Sequence, residues 1–175
     1  MRLGIKTKVA FILLLAVIIL GFAIPEHRSI PVKGATNKDW NHGTFWHEPW
    51  GRSGVHKGID IFSSKGTPAM SSTAGIVLYK GEIHMGGKIV VILGPKWRLH
   101  YYAHLDSQNA TIGSVVRASE VIGTVGDSGN AKGKTPHLHY SIVSLLPYIW
   151  NWDLSSQGWK KMFYLNPSKQ LINLG

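Results

Sequence analysis

The sequence predicts an all-β domain, a two-sheet antiparallel sandwich or roll, preceded by an apolar N-terminal helix. Three observations point there. From Val55 onward, short apolar and β-branched runs recur between turn signals. Glycine is abundant, at 20 residues, as tightly turned short strands require. No helical period of any length stands before residue 145.

The N-terminus is a separate element. Arg2, Lys6 and Lys8 precede an unbroken apolar run from Val9 to Ile24, closed by Pro25. A basic stretch followed by an apolar one is the pattern of an export signal. At 16 residues the run sits at the short edge for a spanning helix. Gly21-Phe22-Ala23 is a poor small-residue cleavage site. Residues 1–24 therefore read as a removed signal peptide or as an uncleaved membrane anchor through residues 9–24, and the continuity up to Pro25 favours the anchor. In both cases the basic end stays in the cytoplasm, and the remainder lies in the cell envelope outside the cytoplasmic membrane. A buried core helix is disfavoured, because the run has no polar face.

Residues 25–41 are polar and without pattern, and read as a linker. Residues 42–175 read as one domain. Within it, Gly58–Phe62 opens the first strand and Ser64–Pro68 forms a turn. Gly75–Tyr79, Lys88–Leu93, Arg98–His104, Val115-Val116, Val121–Val125 and His137–Val143 read as further strands, with a tight turn at Met85-Gly86-Gly87. Two aromatic segments flank this set. Residues 40–50 hold Trp40, Phe45, Trp46 and Trp50; residues 146–164 hold Tyr148, Trp150, Trp152, Trp159, Phe163 and Tyr164. Packing over the sheet is the favoured role for both, ahead of substrate contact. A short helix is expected near Gly158–Leu165, ended by Asn166-Pro167.

Composition excludes several chemistries. The chain has no Cys, so it has no disulfide, thiolate ligand, Cys nucleophile or lipoprotein anchor. The formal charge is +10, and +7 without Arg2, Lys6 and Lys8. Such a domain is drawn to anionic surfaces such as cell-wall polymers or lipid headgroups. Nucleic acid is a poor partner for an exported chain with no basic run.

The chemistry centres on Thr135-Pro136-His137-Leu138-His139-Tyr140. Strand side chains alternate, so His137 and His139 share a face while Leu138 and Tyr140 share the other. Two readings fit: a metal site with one ring on the ion and the other beside it, or an exposed strand face that carries two histidines. A zinc hydrolase site needs three protein ligands and an open position. His56 and Asp60 are candidate partners for His139. Four extended steps would hold them about 13 Å apart, but a bend at Gly58 can bring them together. Asp60 enters an apolar strand, where a buried carboxylate wants a metal or a cation. Along 98–105, alternation puts Arg98, His100, Tyr102 and His104 on one face, and that polar face with two imidazoles suggests a site. His47-Glu48 imitates the start of a zinc-helix motif, but Pro49 follows and position 51 is Gly.

These residues resemble the lysostaphin-type, or LytM-domain, zinc metallopeptidases, which cut peptide cross-links of bacterial peptidoglycan. The matching motifs are His56 to Asp60, Tyr102-Ala103-His104-Leu105 and His137-Leu138-His139, in that order. Gly58-Ile59-Asp60-Ile61, Gly66-Thr67-Pro68 and Val121-Ile122-Gly123 leading to Gly126-Asp127-Ser128-Gly129 match as well, and the likeness covers about residues 50–143. The resemblance implies a duplicated-hybrid-motif-like fold and a Zn²⁺ held by His56, Asp60 and His139. It implies His104 and His137 as the unliganded catalytic pair, and peptidoglycan peptide as substrate. No motif residue is replaced. That favours an endopeptidase over a non-catalytic wall-binding or hydrolase-activating module of the same fold. A phosphocarrier with paired histidines is disfavoured by the export segment.

Overall fold

The computed structural model describes residues 4–174; Arg2, part of the expected basic stretch, lies outside them. A helix, α1, runs over Ile5–Ala23, and nine strands follow: β1 (Ile59–Phe62), β2 (Pro68–Met70), β3 (Gly75–Ile83), β4 (Gly87–Gly94), β5 (Arg98–Gln108), β6 (Val115–Val116), β7 (Val121–Val125), β8 (His137–Ser144) and β9 (Tyr164–Leu165). A five-residue helix, α2, spans Pro167–Leu171. The all-β expectation holds.

All strand pairs are antiparallel. The main order is β1-β8-β5-β4-β3-β6, with β9 beside β8. β5 changes partner along its length. Arg98–Ala103 pairs with β8, whereas Leu105–Gln108 pairs with β7, which in turn pairs with β2. That hand-over rolls the sheet around its core.

Alternation fixes which side of the sheet is apolar. Ile59 and Ile61 of β1, Leu138, Tyr140 and Ile142 of β8, and Tyr102 of β5 all point into the core. The opposite face of the same strands carries Asp60, His137, His139, Ser141 and Tyr101.

Three local expectations are corrected. Residues 25–41, expected as a linker, include a stretch that packs onto the domain. Ile30, Val32 and Trp40 are buried in the core, and Val32 bridges Ala69 of β2. The pattern was hidden because these apolar residues are single and widely spaced. Pro68, expected in a turn, opens β2; a proline is tolerated at the first position of a strand. Asn166-Pro167 begins a helix rather than ending one. The Asn166 side chain accepts from Ser168 N (3.0 Å), and Pro167 occupies the first turn, where its missing N–H costs nothing.

Candidate metal centre and active-site groove

Asp60 and His139 are directly opposed across β1 and β8, and Ala103 of β5 opposes His139 from the other side. His56 arrives from the loop before β1. The bend expected at Gly58 is present. Gly58 lies against Tyr140 O, Ser141 Oγ and His139 Cε1, where no Cβ fits. The result brings three ligand atoms together: His56 Nε2 to Asp60 Oδ1 is 3.2 Å, His56 Nε2 to His139 Nδ1 is 3.1 Å, and His139 Nδ1 to Asp60 Oδ1 is 2.8 Å. This is the His56–Asp60–His139 trio that the family resemblance implies, and its ligand atoms all lie within 4.8 Å of one another.

The hydrogen bonds around the trio show what it is built to hold. His56 Nδ1 lies 3.1 Å from the Thr44 carbonyl, which can only accept. Nδ1 therefore carries the proton, and Nε2 of a neutral ring presents a lone pair to Asp60 Oδ1. Two acceptors at 3.2 Å repel unless a proton or a cation sits between them. His139 Nε2 has Ser141 Oγ at 3.0 Å to take its N–H, which leaves Nδ1 for the ion. Tetrahedral zinc with bonds near 2.0–2.2 Å would set its ligands about 3.3–3.5 Å apart, so a cation fits with small outward shifts. Burial pushes the Asp60 carboxyl up, but when a proton rather than a cation sits between them, the hydrogen bonds and charge of His139 and His56 outweigh burial and hold Asp60 well below the usual range. Burial lowers the His139 pKa against the pull of Asp60. Both shifts keep the ligand forms: ionised carboxylate, neutral imidazole. The Trp50 ring stacks on His56 at 4.0 Å and 15°, closing its outer side.

His104 and His137 flank the trio. Their ring centroids are 5.0 Å apart, and His137 Nε2 is 3.9 Å from Asp60 Oδ1. His104 Nδ1 lies 2.9 Å from the Ser128 carbonyl, and His137 Nδ1 lies 2.8 Å from the Thr135 carbonyl. Each ring donates through Nδ1, so Nε2 is the free proton acceptor in both. Burial, followed by the neighbouring His139 and His137, lowers the His104 pKa to about 4.

The position of His104 corrects simple alternation. Lys88 opposes Leu105 and Val90 opposes Tyr102, so one β4 residue, Ile89, faces two of β5, Ala103 and His104. This is a β-bulge, with His104 at φ +62°. It swings His104 to the groove side with Tyr101 and Ala103. His100 stays on the core side, fully buried, with Nδ1 2.7 Å from Tyr140 Oη. Ser128 staples the bulge: its Oγ donates to Leu105 O (2.8 Å) and accepts from Lys88 N (2.9 Å).

The trio opens onto a groove of about 670 Å³. Leu99, Tyr101, Ala103 and Val143 line it along β5 and β8, with Trp50 and Tyr164 among its walls. Arg52, Lys57 and Lys134 also line it, and Asp60 is its sole carboxylate among the described residues. Burial raises the Tyr101 hydroxyl to about 12, which keeps it a neutral donor. Trp50, Ser141 and the carbonyls of Thr44, Ser128 and Thr135 escaped sequence reasoning as site groups. Two had a signal: Trp50 in the aromatic segment 40–50, read as packing ahead of substrate contact, and Ser141, two places beyond His139 on the same strand face.

The family model of peptidase family M23 matches residues 54–147. The chain belongs to peptidase family M23. Its sequence is 34% identical over 113 residues to an L-Ala–D-Glu endopeptidase of Bacillus subtilis, covering 59% of this chain and 35% of that protein. The chain thus spans about a third of that relative's length. The catalytic domain of the antimicrobial peptidase lysostaphin from Staphylococcus simulans superposes with a TM-score of 0.57 at 25% identity, over 70% of this chain and 84% of that one. A zinc containing peptidase from Vibrio cholerae superposes with a TM-score of 0.56 at 26% identity, over 67% of this chain and 36% of that one. The matched span contains the trio, both flanking histidines and most of the sheet.

Proposed function

We propose that this M23 chain is a zinc-dependent endopeptidase that hydrolyses peptides of bacterial peptidoglycan outside the cytoplasmic membrane. The observation that carries it is the convergence of His56 Nε2, Asp60 Oδ1 and His139 Nδ1 beside two further imidazoles with free Nε2 atoms. His56, Asp60 and His139 would hold the ion. Two neutral rings and one carboxylate would leave a zinc site at net +1, and the ion would supply a bound water with its pKa lowered toward 7 and a Lewis acid for the carbonyl. His104 and His137 supply the proton traffic. A neutral Nε2 accepts the water proton, and a protonated one donates to the developing oxyanion or the leaving amine. The Ser128 and Thr135 carbonyls hold each ring in that tautomer. An open groove with a long apolar floor suits an extended peptide, and its basic lining suits the carboxylates of peptidoglycan stem peptides. The names of the relatives agree: one cuts an L-Ala–D-Glu bond, and another is a zinc containing peptidase.

The α1 helix reads as a retained anchor. Its 19 residues span about 28 Å at 1.5 Å each, close to a ~30 Å hydrocarbon core. It is long and apolar enough to cross a membrane, and only 6% of its apolar window is buried. Its end is fitted to the domain, with Gly21 against the Trp97 ring, a match a discarded signal would not need. Incubating purified peptidoglycan with the full chain tests the enzymatic reading. New amino termini should appear, vanish with a chelator and return with zinc. Intact peptidoglycan at full zinc loading would favour a non-catalytic module.

A further inference from the structure

The segment between β8 and β9 holds six large apolar side chains out in solvent: Leu145, Ile149, Trp150, Trp152, Leu154 and Trp159. Leu154 is 90% exposed and Trp150 75%, more than stray surface residues warrant in one short stretch. Their backbone is nonetheless fixed. Tyr148 N donates to Met162 O (2.7 Å), Gln157 Nε2 to Ser53 O (2.9 Å), and Trp46 Nε1 to Ser156 O (3.0 Å). The apolar groups face outward from an ordered frame.

That frame stands at the foot of α1. Glu26, three residues beyond the helix, pairs with Arg98, and Arg98 Nη2 donates to Tyr148 Oη (2.9 Å), next to Ile149 and Trp150. Trp97 packs against α1 itself: its Nε1 donates to Ile18 O (3.0 Å), and its ring fills the space beside Gly21. The Trp97 carbonyl takes the N–H of Leu145 (2.9 Å). Ile18 lies five residues before the helix end, about 7.5 Å down its axis. If the roughly 28 Å of α1 fills the hydrocarbon core, that contact lies about 7.5 Å below its outer edge, and the adjoining domain surface meets the interface between hydrocarbon and headgroups. Tryptophans with flanking lysines are the side chains that settle in that layer. Lys160 borders the face and lies over the Trp159 ring, and Lys161 pairs with Asp153.

We propose that the face formed by Leu145 to Trp159 seats in the outer interface of the bilayer that α1 crosses. The proposal rests on α1 being a retained anchor. It gives the exposed tryptophans an occupant of stated chemistry, an anionic lipid surface. It also sets the height of the active site. Five strand steps from Ser144 to His139 place the trio about 16 Å above that end of the sheet. Because Gln157 and Trp46 tie the segment to the loop beside the groove, the groove is held at a fixed attitude to the membrane.

The absence of Cys allows single nitroxide labels on the full chain. The sites are Leu14→Cys in α1, Trp150→Cys and Leu154→Cys on the face, and Ser64→Cys in the turn after β1, at the far end of the sheet. Each is exposed, and zinc content reports folding. The chain is reconstituted in phosphatidylcholine vesicles with phosphatidylglycerol, and collisions with oxygen and a water-soluble nickel chelate are compared. Labels at 14, 150 and 154 should lose chelate collisions and gain oxygen collisions, while the label at 64 stays open to the chelate. A label at 14 in lipid with 150 and 154 as open to chelate as 64 overturns this proposal alone. A label at 14 in water overturns the anchor, and the proposal with it. Labels at 150 and 154 shielded from both reagents would mean a protein covers the face, which also overturns it.

Discussion

His100 and His104 are four residues apart on one strand and live in opposite chemistries. His104 faces the groove with its Nε2 free beside the trio. His100 is sealed behind the sheet among Tyr140, Glu26, Arg98 and Arg28. Burial lowers the His100 pKa to about 4; Glu26 opposes that fall, and Arg98 and Arg28 add to it. The ring is therefore neutral near pH 7, and its 3.6 Å approach to Glu26 is no ion pair. One extra residue in β5 decides which histidine reaches the groove. The lesson is that residue type announces chemistry, but backbone register assigns it.

The contrast can be broken from either side. The largest expected effect lies behind the sheet. Glu26→Ala removes the carboxylate that neutralises buried Arg98, and leaving one buried charge unpaired costs about 3–5 kcal/mol. Urea unfolding should show that loss, while zinc content and activity of the folded fraction stay normal. On the groove side, His104→Ala and His137→Ala should each lower peptide cleavage on the order of 10²-fold or more, with unchanged midpoint and bound zinc. Next, Ser141→Ala removes the partner of His139 Nε2 and should weaken zinc about 10- to 100-fold in a chelator competition. The smallest effect is in pH dependence. The folded pKa of His100, about 4, lies below its ordinary 6.5. The unfolded chain therefore binds a proton that the fold refuses. This stabilising contribution is complete above about pH 6.5 and is lost as pH falls toward 4. His100→Gln cannot titrate and should flatten the fall in urea midpoint between pH 7 and 5. An equal fall in both proteins would remove His100 from the account.

The sheet and the trio were legible because their signals are local or periodic. Alternation placed His137 and His139 together, a carboxylate entering an apolar strand marked Asp60, and the family resemblance joined both to His56. What alternation could not show is its own interruption. The bulge at His104 depends on Ser128, 24 residues away, bonding both Leu105 O and Lys88 N. The Thr44, Ser128 and Thr135 carbonyls that fix three rings are backbone groups with no side-chain signature. Residues 25–41 read as linker because Ile30, Val32 and Trp40, all buried in the core, stand singly and widely spaced in the sequence.

The central claim is a division of labour on one face: His56, Asp60 and His139 hold the metal, and His104 works beside it. Zinc content of the purified full chain, His139→Ala and His104→Ala, measured together by elemental analysis, tests it most directly. The account predicts about one zinc per chain in the wild type and in His104→Ala, and strongly reduced zinc in His139→Ala, whose site keeps two of the three protein ligands such a site requires. Full zinc in His139→Ala, or an empty site in His104→Ala, would contradict it.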